Sequence, residues 1–326
     1  MLNYIIRRIL YAIPILIGVN LITALLFFYV NTPDDMARMM LGEKRLTPAA
    51  MENWKSEHGY NLPLFINTKE GGAGILTQTI FVQKSLPLLW LDFGKSDRNN
   101  LDIGEEIKKR MWPSLAIAIP TFLIAVTVNI FLSMIIAYFR GTYIDSWGIL
   151  ICVVMMSVST LFYIIGSQYF FGKTLRLFPI SGFDTGLSAL KFLILPVIIG
   201  VLSSIGGSVR FYRTVFLEEI NKDYIRTARA KGLSEGKVLF KHGLRNALIP
   251  ILTNIVAVLP LLFMGSLLIE NFFAIPGLGS FTIDAINSQD FAIVRSMVYL
   301  GALLYVLGLI LTDISYTLVD PRIRLE

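Results

Sequence analysis

The sequence predicts an all-α integral membrane fold with about six transmembrane helices, and three observations carry that expectation. Only 16% of the 326 residues are charged, against roughly 25% in a soluble domain. Mean hydropathy is +0.65. Several apolar runs lie near or above the roughly 18 residues that a membrane span requires. A soluble α/β chain of this length leaves those runs unexplained.

The first run, 9–30, follows Arg7 and Arg8. It exceeds the ~7–15-residue apolar region of a signal peptide, and no small-x-small cleavage site follows. It reads as an uncleaved first helix with its basic end in the cytoplasm. Segment 31–112 has mixed polarity, with eleven basic and eleven acidic residues. Such balance reads as a small folded extracytoplasmic insert. Within it, 71–74 reads as a turn. The stretch 75–91 is apolar but interrupted by Gln78, Gln83, Lys84 and Pro87, so it is expected to lie on the membrane surface without spanning.

Five more runs follow, at 113–139, 147–171, 192–209, 248–269 and 297–318. At 1.5 Å per residue each crosses a hydrocarbon core of about 30 Å, the shortest only barely. Pro120, Pro196, Pro250 and Pro260 interrupt them. Such kinks are tolerated where neighbouring helices cover the freed carbonyls, which favours a packed bundle over a lone anchor. Loop 210–247 carries nine basic residues, whereas the short loops assigned outside hold Lys173, Arg176, Lys191 and Arg295. The positive-inside rule then places both termini in the cytoplasm. The expected organisation is 1–30 as N-terminal segment and first span, 31–112 as insert, 113–320 as a five-helix core with cytoplasmic loop 210–247, and 321–326 as a cytoplasmic tail.

The formal charge of +6 therefore reads as topology and not as nucleic-acid binding. Cys152 is the single cysteine, and His58 and His242 are the two histidines. They form no metal-ligand cluster, and no histidine lies in a span to serve a membrane enzyme. Asn20, Asn129, Gln168 and Asn254 read as uncharged residues that hold helices together. Asp313 falls near the cytoplasmic end of the last run, where an interfacial pairing role fits. Glu270 is expected at the outer end of its helix, solvated.

The stretch 223–250 is the unusual one. Residues 223–231 read as a short helix rich in Arg, Ala and Lys, and Gly232 suits the left-handed position that ends it. Ser234 then caps a second helix. Tyr224, Ala228 and Lys231 share one face by i, i+4, i+7 spacing. Small Thr227 and Ala228 beside Gly232 admit a close protein surface. On charge alone the loop needs only to enforce topology. The string 232–237 is no phosphate loop, because one residue is missing between the glycines and Val238 stands where Ser or Thr is needed. Nor is Pro276-Gly-Leu-Gly279 a dinucleotide fingerprint, since no strand–helix unit surrounds it.

The same stretch closely resembles the EAA coupling motif of ABC importer permeases, in the form of the dipeptide and oligopeptide branch. Arg226-Thr227-Ala228 stands where Glu-Ala-Ala would, Gly232 is the motif glycine, and His242, Asn246 and Pro250 also look like that branch. The resemblance continues in Tyr4-Ile-Ile-Arg-Arg-Ile, in Leu91-Asp-Phe-Gly-Lys-Ser96, in Ser266-Leu-Leu-Ile-Glu270 with Pro276-Gly-Leu-Gly279, and in Asp313-Ile-Ser-Tyr-Thr-Leu-Val-Asp320-Pro-Arg322-Ile. The last string and 266–270 are especially similar to YejB-type permeases of peptide and microcin C import. Region 61–91 departs from the usual spacing.

The resemblance implies a type I importer permease in the bacterial inner membrane, non-catalytic itself. Its partners would be a second permease, commonly a different chain, two ABC ATPase subunits, an extracytoplasmic substrate-binding protein and the lipid bilayer. No nucleic acid is implied. ATP and magnesium would be used by the ATPases and no cofactor held by this chain. Asp223, Tyr224, Thr227, Ala228, Arg229, Ala230, Lys231, Gly232, Leu233, His242 and Asn246 would make the ATPase coupling site. The substrate would be a dipeptide, an oligopeptide or a microcin C-like peptide. A self-sufficient secondary carrier or channel is the competing reading, and it predicts mid-membrane charged pairs or broken helices that the sequence lacks.

Overall fold

In a computed structural model, residues 2–42, 47–72, 74–184 and 186–319 are described. The expected tail 321–326, and Asp320 to Ile323 of the family-like ending, lie outside them. Among the described residues the only strand-type pairing is an isolated bridge between Lys95 and Asp102. The chain divides into two compact units, Met1–Met111 with Phe281–Leu307, and Trp112–Ser280 with Gly308–Glu326.

The first unit opens with α1 (Leu2–Leu25), which runs on through a wider turn, Leu26–Val30. The insert then folds as two short helices with strong end signals. In α2 (Pro33–Leu41), Thr32 and Asp35 form a reciprocal capping box and Pro33 occupies the first turn. In α3 (Pro48–His58), Thr47 caps the Ala50 N–H and Gly59, at φ +69°, closes the C-terminus. These devices satisfy the orphan N–H and C=O groups of helices too short to persist alone. Ala24, Phe28, Met36, Ala37, Trp54, Tyr60 and Ile80 are buried together and weld the insert to α1.

The stretch 75–91 folds as three short helical turns, Gly74–Thr77, Phe81–Ser85 and Leu86–Trp90, the last two packed against α1, and Ile80 and Leu88 are each 1% exposed. Asn20 Nδ2 donates to the Ser85 carbonyl at 2.7 Å. The interrupting polar residues thus sit on a protein-packed segment, because α1 supplies both an apolar stripe and a hydrogen-bond donor.

The second unit holds most of α4 (Ile103–Tyr138), then α5 (Tyr143–Ser157), α6 (Thr160–Ser167), α7 (Leu190–Ile220), α8 (Asp223–Ala230), α9 (Leu244–Val258) and α10 (Leu267–Phe272). Helices α11 (Leu278–Asn287) and α12 (Phe291–Val319) complete the chain. Five described helices are long and apolar enough to cross a membrane, or six if the pair Tyr143–Ser157 and Thr160–Thr174, bent by 88°, is counted as one span.

That bend corrects the continuous span expected over 147–171. Val158 leaves the helix at ψ 125° and Ser159 at ψ 143°. The Ser159 side chain then starts the next helix by accepting from the Leu161 N–H at 3.4 Å. In an unbroken helix the Met155 carbonyl would accept from Ser159 N–H. Here the Tyr163 hydroxyl donates to it at 2.9 Å. The bend is therefore satisfied by side chains that apolar periodicity does not reveal.

Between the long helices, Asn129 Nδ2 donates to Ser204 Oγ at 3.0 Å. Gln168 Nε2 donates to the Ile180 and Phe272 carbonyls, both at 2.9 Å. A Cβ on Gly206 would meet the Cys152 carbonyl oxygen at 2.7 Å, so only glycine permits the approach of α7 to α5.

Candidate functional site

Helix α8 begins after Lys222, which has extended geometry, and carries Asp223 in its first turn, where a carboxylate complements the helix dipole. Its end is a Schellman motif. Gly232 N–H donates to the Arg229 carbonyl at 2.9 Å and Leu233 N–H to the Ala228 carbonyl at 3.4 Å. Gly232 sits at φ +77° with nothing within 4 Å of an added Cβ. The backbone angle, and not crowding, is what calls for glycine there. Across the turn, Arg229 Nε and Nη2 grip the Glu235 carboxylate at 2.7 and 3.2 Å. Ser234 opens the next helical turn in extended geometry, without the side-chain cap that the sequence suggested.

The faces of α8 differ from the sequence reading. Ile225 and Ala228 are buried against Val238 with Tyr224 packed beside them. Asp223, Arg226, Thr227, Ala230 and Lys231 are exposed. They fall at i, i+3, i+4, i+7 and i+8, one continuous face. Tyr224 and Ala228 therefore do not share a presented face with Lys231. The apolar stripe of a short amphipathic helix takes the inner side, because its burial is what stabilises the helix.

Tyr224 anchors this arrangement. Its hydroxyl donates to the Glu219 carboxylate, which also binds Lys222. Burial, and then the bond to Glu219, pushes the phenol up to about 12. Asn246 Nδ2 donates to the His242 carbonyl at 3.1 Å. His242 and Asn246 are half-buried, while Arg229, Gly232 and Leu233 are exposed. The predicted coupling residues thus divide into an outward set on α8 and its turn, and an inward set that holds α8 to the base of α7 and to the start of α9.

A further brace lies near the same end of α7. Arg213 makes a bidentate contact with Asp145 at 2.7–2.9 Å, and Asp145 also accepts from the Gly141 N–H at 3.1 Å. Both side chains are largely buried. Planar fork-to-carboxylate pairing of this kind fixes orientation as well as charge.

The sequence reading missed Glu270. Expected at a solvated helix end, it is 1% exposed. Its Oε1 accepts from Ser266 N–H at 3.1 Å, and its Oε2 accepts from Gly279 and Ser280 N–H at 2.7 and 3.2 Å. The last two are first-turn donors of α11, where an anion is favoured by the orphan N–H groups and the dipole. Ser114 Oγ accepts from Leu278 N–H at 2.8 Å. A Cβ on Gly265 or Gly277 would collide with the Glu270 carboxylate. The Pro276–Gly279 string is therefore a wrapping for this carboxylate. The discoverable signal was glycines on both sides of a single acidic residue. Beside it opens a mainly apolar cavity of about 290 Å³, lined among others by Ser114, Thr121, Ser204 and Glu270.

Comparison with known proteins places these features. Residues 129–325 match the family described as "Binding-protein-dependent transport system inner membrane component", and residues 1–118 match its N-terminal component. A Brucella abortus (strain 2308) chain bearing the name of a peptide transport system permease is 33% identical over 327 residues, covering 99% of each chain. The oligopeptide transport system permease protein AppB of Bacillus subtilis is 30% identical, covering 99% of this chain and all of its own. The dipeptide transport system permease protein DppB of Escherichia coli is 30% identical, covering 99% of each. With family models matching nearly the whole chain, and several apolar helices arranged as described, this chain belongs to the binding-protein-dependent transport system inner membrane component family and is a multi-pass permease subunit of an ABC importer.

Proposed function

We propose that this permease carries peptides, and that the exposed face of α8 docks into an ATPase subunit that drives transport. The observation that carries the docking reading is the continuous outward face Asp223, Arg226, Thr227, Ala230 and Lys231, on a helix whose opposite side is anchored through Tyr224, Ile225 and Ala228. A surface-exposed short helix with rigid support at both ends transmits a push, because its backbone has no slack to absorb one. Gly232, Leu233 and the Arg229–Glu235 grip set the exit of that helix. Tyr224, Ala228, His242 and Asn246 act from within by holding it.

In this reading ATP and magnesium are used by two ATPase subunits, and this chain holds no cofactor. A second permease, commonly a distinct chain, completes the pathway. A substrate-binding protein delivers the peptide to the side opposite α8 and the termini, which are cytoplasmic; there the 31–112 insert would lie. The segments 1–30, 113–320 with loop 210–247, and 321–326 keep the roles expected of them. Peptide as substrate is supported by the names of the full-length relatives. The YejB-type, microcin C-like subgroup is supported by strings 266–270 and 313–323 alone. A self-sufficient carrier gives the outward face of α8 no role.

The test is a mild-detergent pull-down of the tagged protein from its native membranes, followed by mass spectrometry. An ATPase with a phosphate loop and a second permease are expected. Recovery of this chain alone across several detergents would overturn the reading.

A further inference from the structure

Lys191 and Arg210 bracket the apolar stretch 192–209 of α7. Gly206 lies four residues, about 6 Å, inside that bracket. A Cβ on it would stand 2.8 Å from the Met156 N, so Met156 shares its level. Asp145 pairs with Arg213 while Met156 abuts Gly206, so α5 and α7 run antiparallel. The break at Val158 and Ser159 therefore lies deeper in the membrane still. Irregular backbone at that depth is tolerated where protein covers it or water reaches it, but not against lipid. Met156, Ser157, Val158 and Ser159 are all exposed. The turn also takes the Leu161 N–H away from the Ser157 carbonyl, its partner in a continuous helix, and gives it to Ser159 Oγ. This face of α5 is thus closed to lipid tails.

Arg210 brings a charge to the same place. Helical side chains lean toward the N-terminus of their helix, which for α7 is the direction of Leu190 and the apolar stretch. Arg210 Nη1 comes within 4.0 Å of Met156 Sδ, two residues before the break. A thioether sulfur is only a weak acceptor. Among the described residues no carboxylate pairs with Arg210 within 4 Å, whereas Arg213 is committed to Asp145. Arg210 is exposed. It lines a cavity of about 340 Å³ with Met156, Gly207, Arg213 and Thr214 and with no carboxylate. That volume is at the lower end of small-ligand sites. An ionisable group drawn to membrane depth, with its donors unspent, marks a site of function.

We infer that this face borders a water-filled path through the membrane, and that Arg210 binds the carboxylate of the carried peptide there. The inference rests on the reading that peptides are carried. An unmodified linear peptide ends in a carboxylate, whose two oxygens match the planar fork of a guanidinium. Water in the path also serves the backbone groups freed at the break. A lipid phosphate fits the charge of Arg210 but not the break, which lipid does not cover.

The test uses the importer purified whole and placed in phosphatidylcholine nanodiscs. This chain carries Cys152→Ala, which removes its single cysteine, together with Ser159→Cys. Two methanethiosulfonate reagents are compared, one bearing a sulfonate and one a trimethylammonium group. Mass spectrometry of this chain reads each modification rate, divided by the rate of the same reagent with free mercaptoethanol. Both reagents are expected to react, the anionic one at least about threefold faster. Arg210→Gln should abolish that preference, and Arg210→Lys, which keeps the charge, should retain it. A peptic casein digest should slow the reaction, and the same digest with its carboxyls methyl-esterified should not. A thiol that neither reagent reaches, or a preference that survives Arg210→Gln, would overturn the site itself. A preference removed by Arg210→Gln, with no slowing by either digest, would instead overturn peptide as its ligand. Equal slowing by both digests would overturn recognition of the carboxylate.

Discussion

Glu270 Oε2 accepts a hydrogen bond from the Gly279 N–H at 2.7 Å, deep inside a loop that the sequence presents only as Pro-Gly-Leu-Gly. That bond joins the end of α10 to the start of α11, and three backbone donors share the same carboxylate.

Replacing Glu270 should therefore cost far more than its position near a helix end suggests. Glu270→Ala leaves three buried donors without an acceptor and is expected to lose about 3 kcal/mol or more, whereas Glu270→Gln, which keeps one oxygen, loses about half of that. Thermal unfolding in detergent measures both. Gly277→Ala should be severe alone, and milder only when both Glu270→Ala and Ser114→Ala are present, because its Cβ would strike the Glu270 carboxylate and also stand 2.5 Å from the Ser114 Oγ.

At Gly232 the damage should follow backbone angle and not size. Gly232→Ala is expected to cost about 1–2 kcal/mol for the left-handed conformation, and Gly232→Asn less. The Cβ of a Gly232→Trp variant meets nothing within 4 Å in this chain. The variant should insert normally and lose ATP-dependent uptake if α8 docks as proposed. Wild-type uptake by that variant would argue strongly against docking.

Adjacent residues on α8 should behave oppositely. Thr227→Trp points outward and is expected to change stability by no more than about 0.5 kcal/mol while abolishing uptake. Ala228→Trp enters the packing against Val238 and should destabilise by about 1–3 kcal/mol. Paired melting and uptake measurements separate the two. Equal melting midpoints would contradict the assignment of inner and outer faces.

Breaking the Arg213–Asp145 pair from one side should be worse than removing it. Arg213→Ala strands a largely buried carboxylate and is expected to cost about 3–5 kcal/mol. The double variant with Asp145→Ala should cost less than the sum of the two single changes, and a double-mutant cycle reads the difference.

Stability should also carry a pH signature from Asp97. Burial holds its carboxyl above the usual 3.8 in the folded chain, although Arg295 and the Tyr60 hydroxyl pull the other way. Between 3.8 and the raised folded value, the folded state binds more protons than the unfolded one. The contribution of this group to stability therefore falls as pH rises through that window. Asp97→Asn should remove that slope, seen as a smaller loss of melting midpoint from pH 4 to 7 than in wild type.

The span-forming helices and the short helix ending at Gly232 were legible in the residues. Each depends on local quantities, namely the length of an apolar run and a glycine where φ must be positive. The bend at Val158 and Ser159 was not legible, because continuous hydropathy hides a break that Tyr163 repairs from the next helix. Which side of α8 is exposed was not legible for a related reason. Spacing groups Tyr224, Ala228 and Lys231, but only the neighbouring Val238 and Glu219 decide which side of the helix is inner.

By itself the sequence determined that this chain lives in a membrane, where its spans fall, and that its loop 223–250 is built around a helix and a glycine. Those properties follow from transfer free energy and backbone sterics, which act residue by residue. Only the tertiary structure decided that Glu270 is buried and bound, that Arg295 is buried with an unsatisfied Nε, and that 81–90 packs on α1. Such outcomes depend on which donors, acceptors and charges meet after residues far apart in the chain, such as Ser96 and Asp290, 194 positions apart, are brought together.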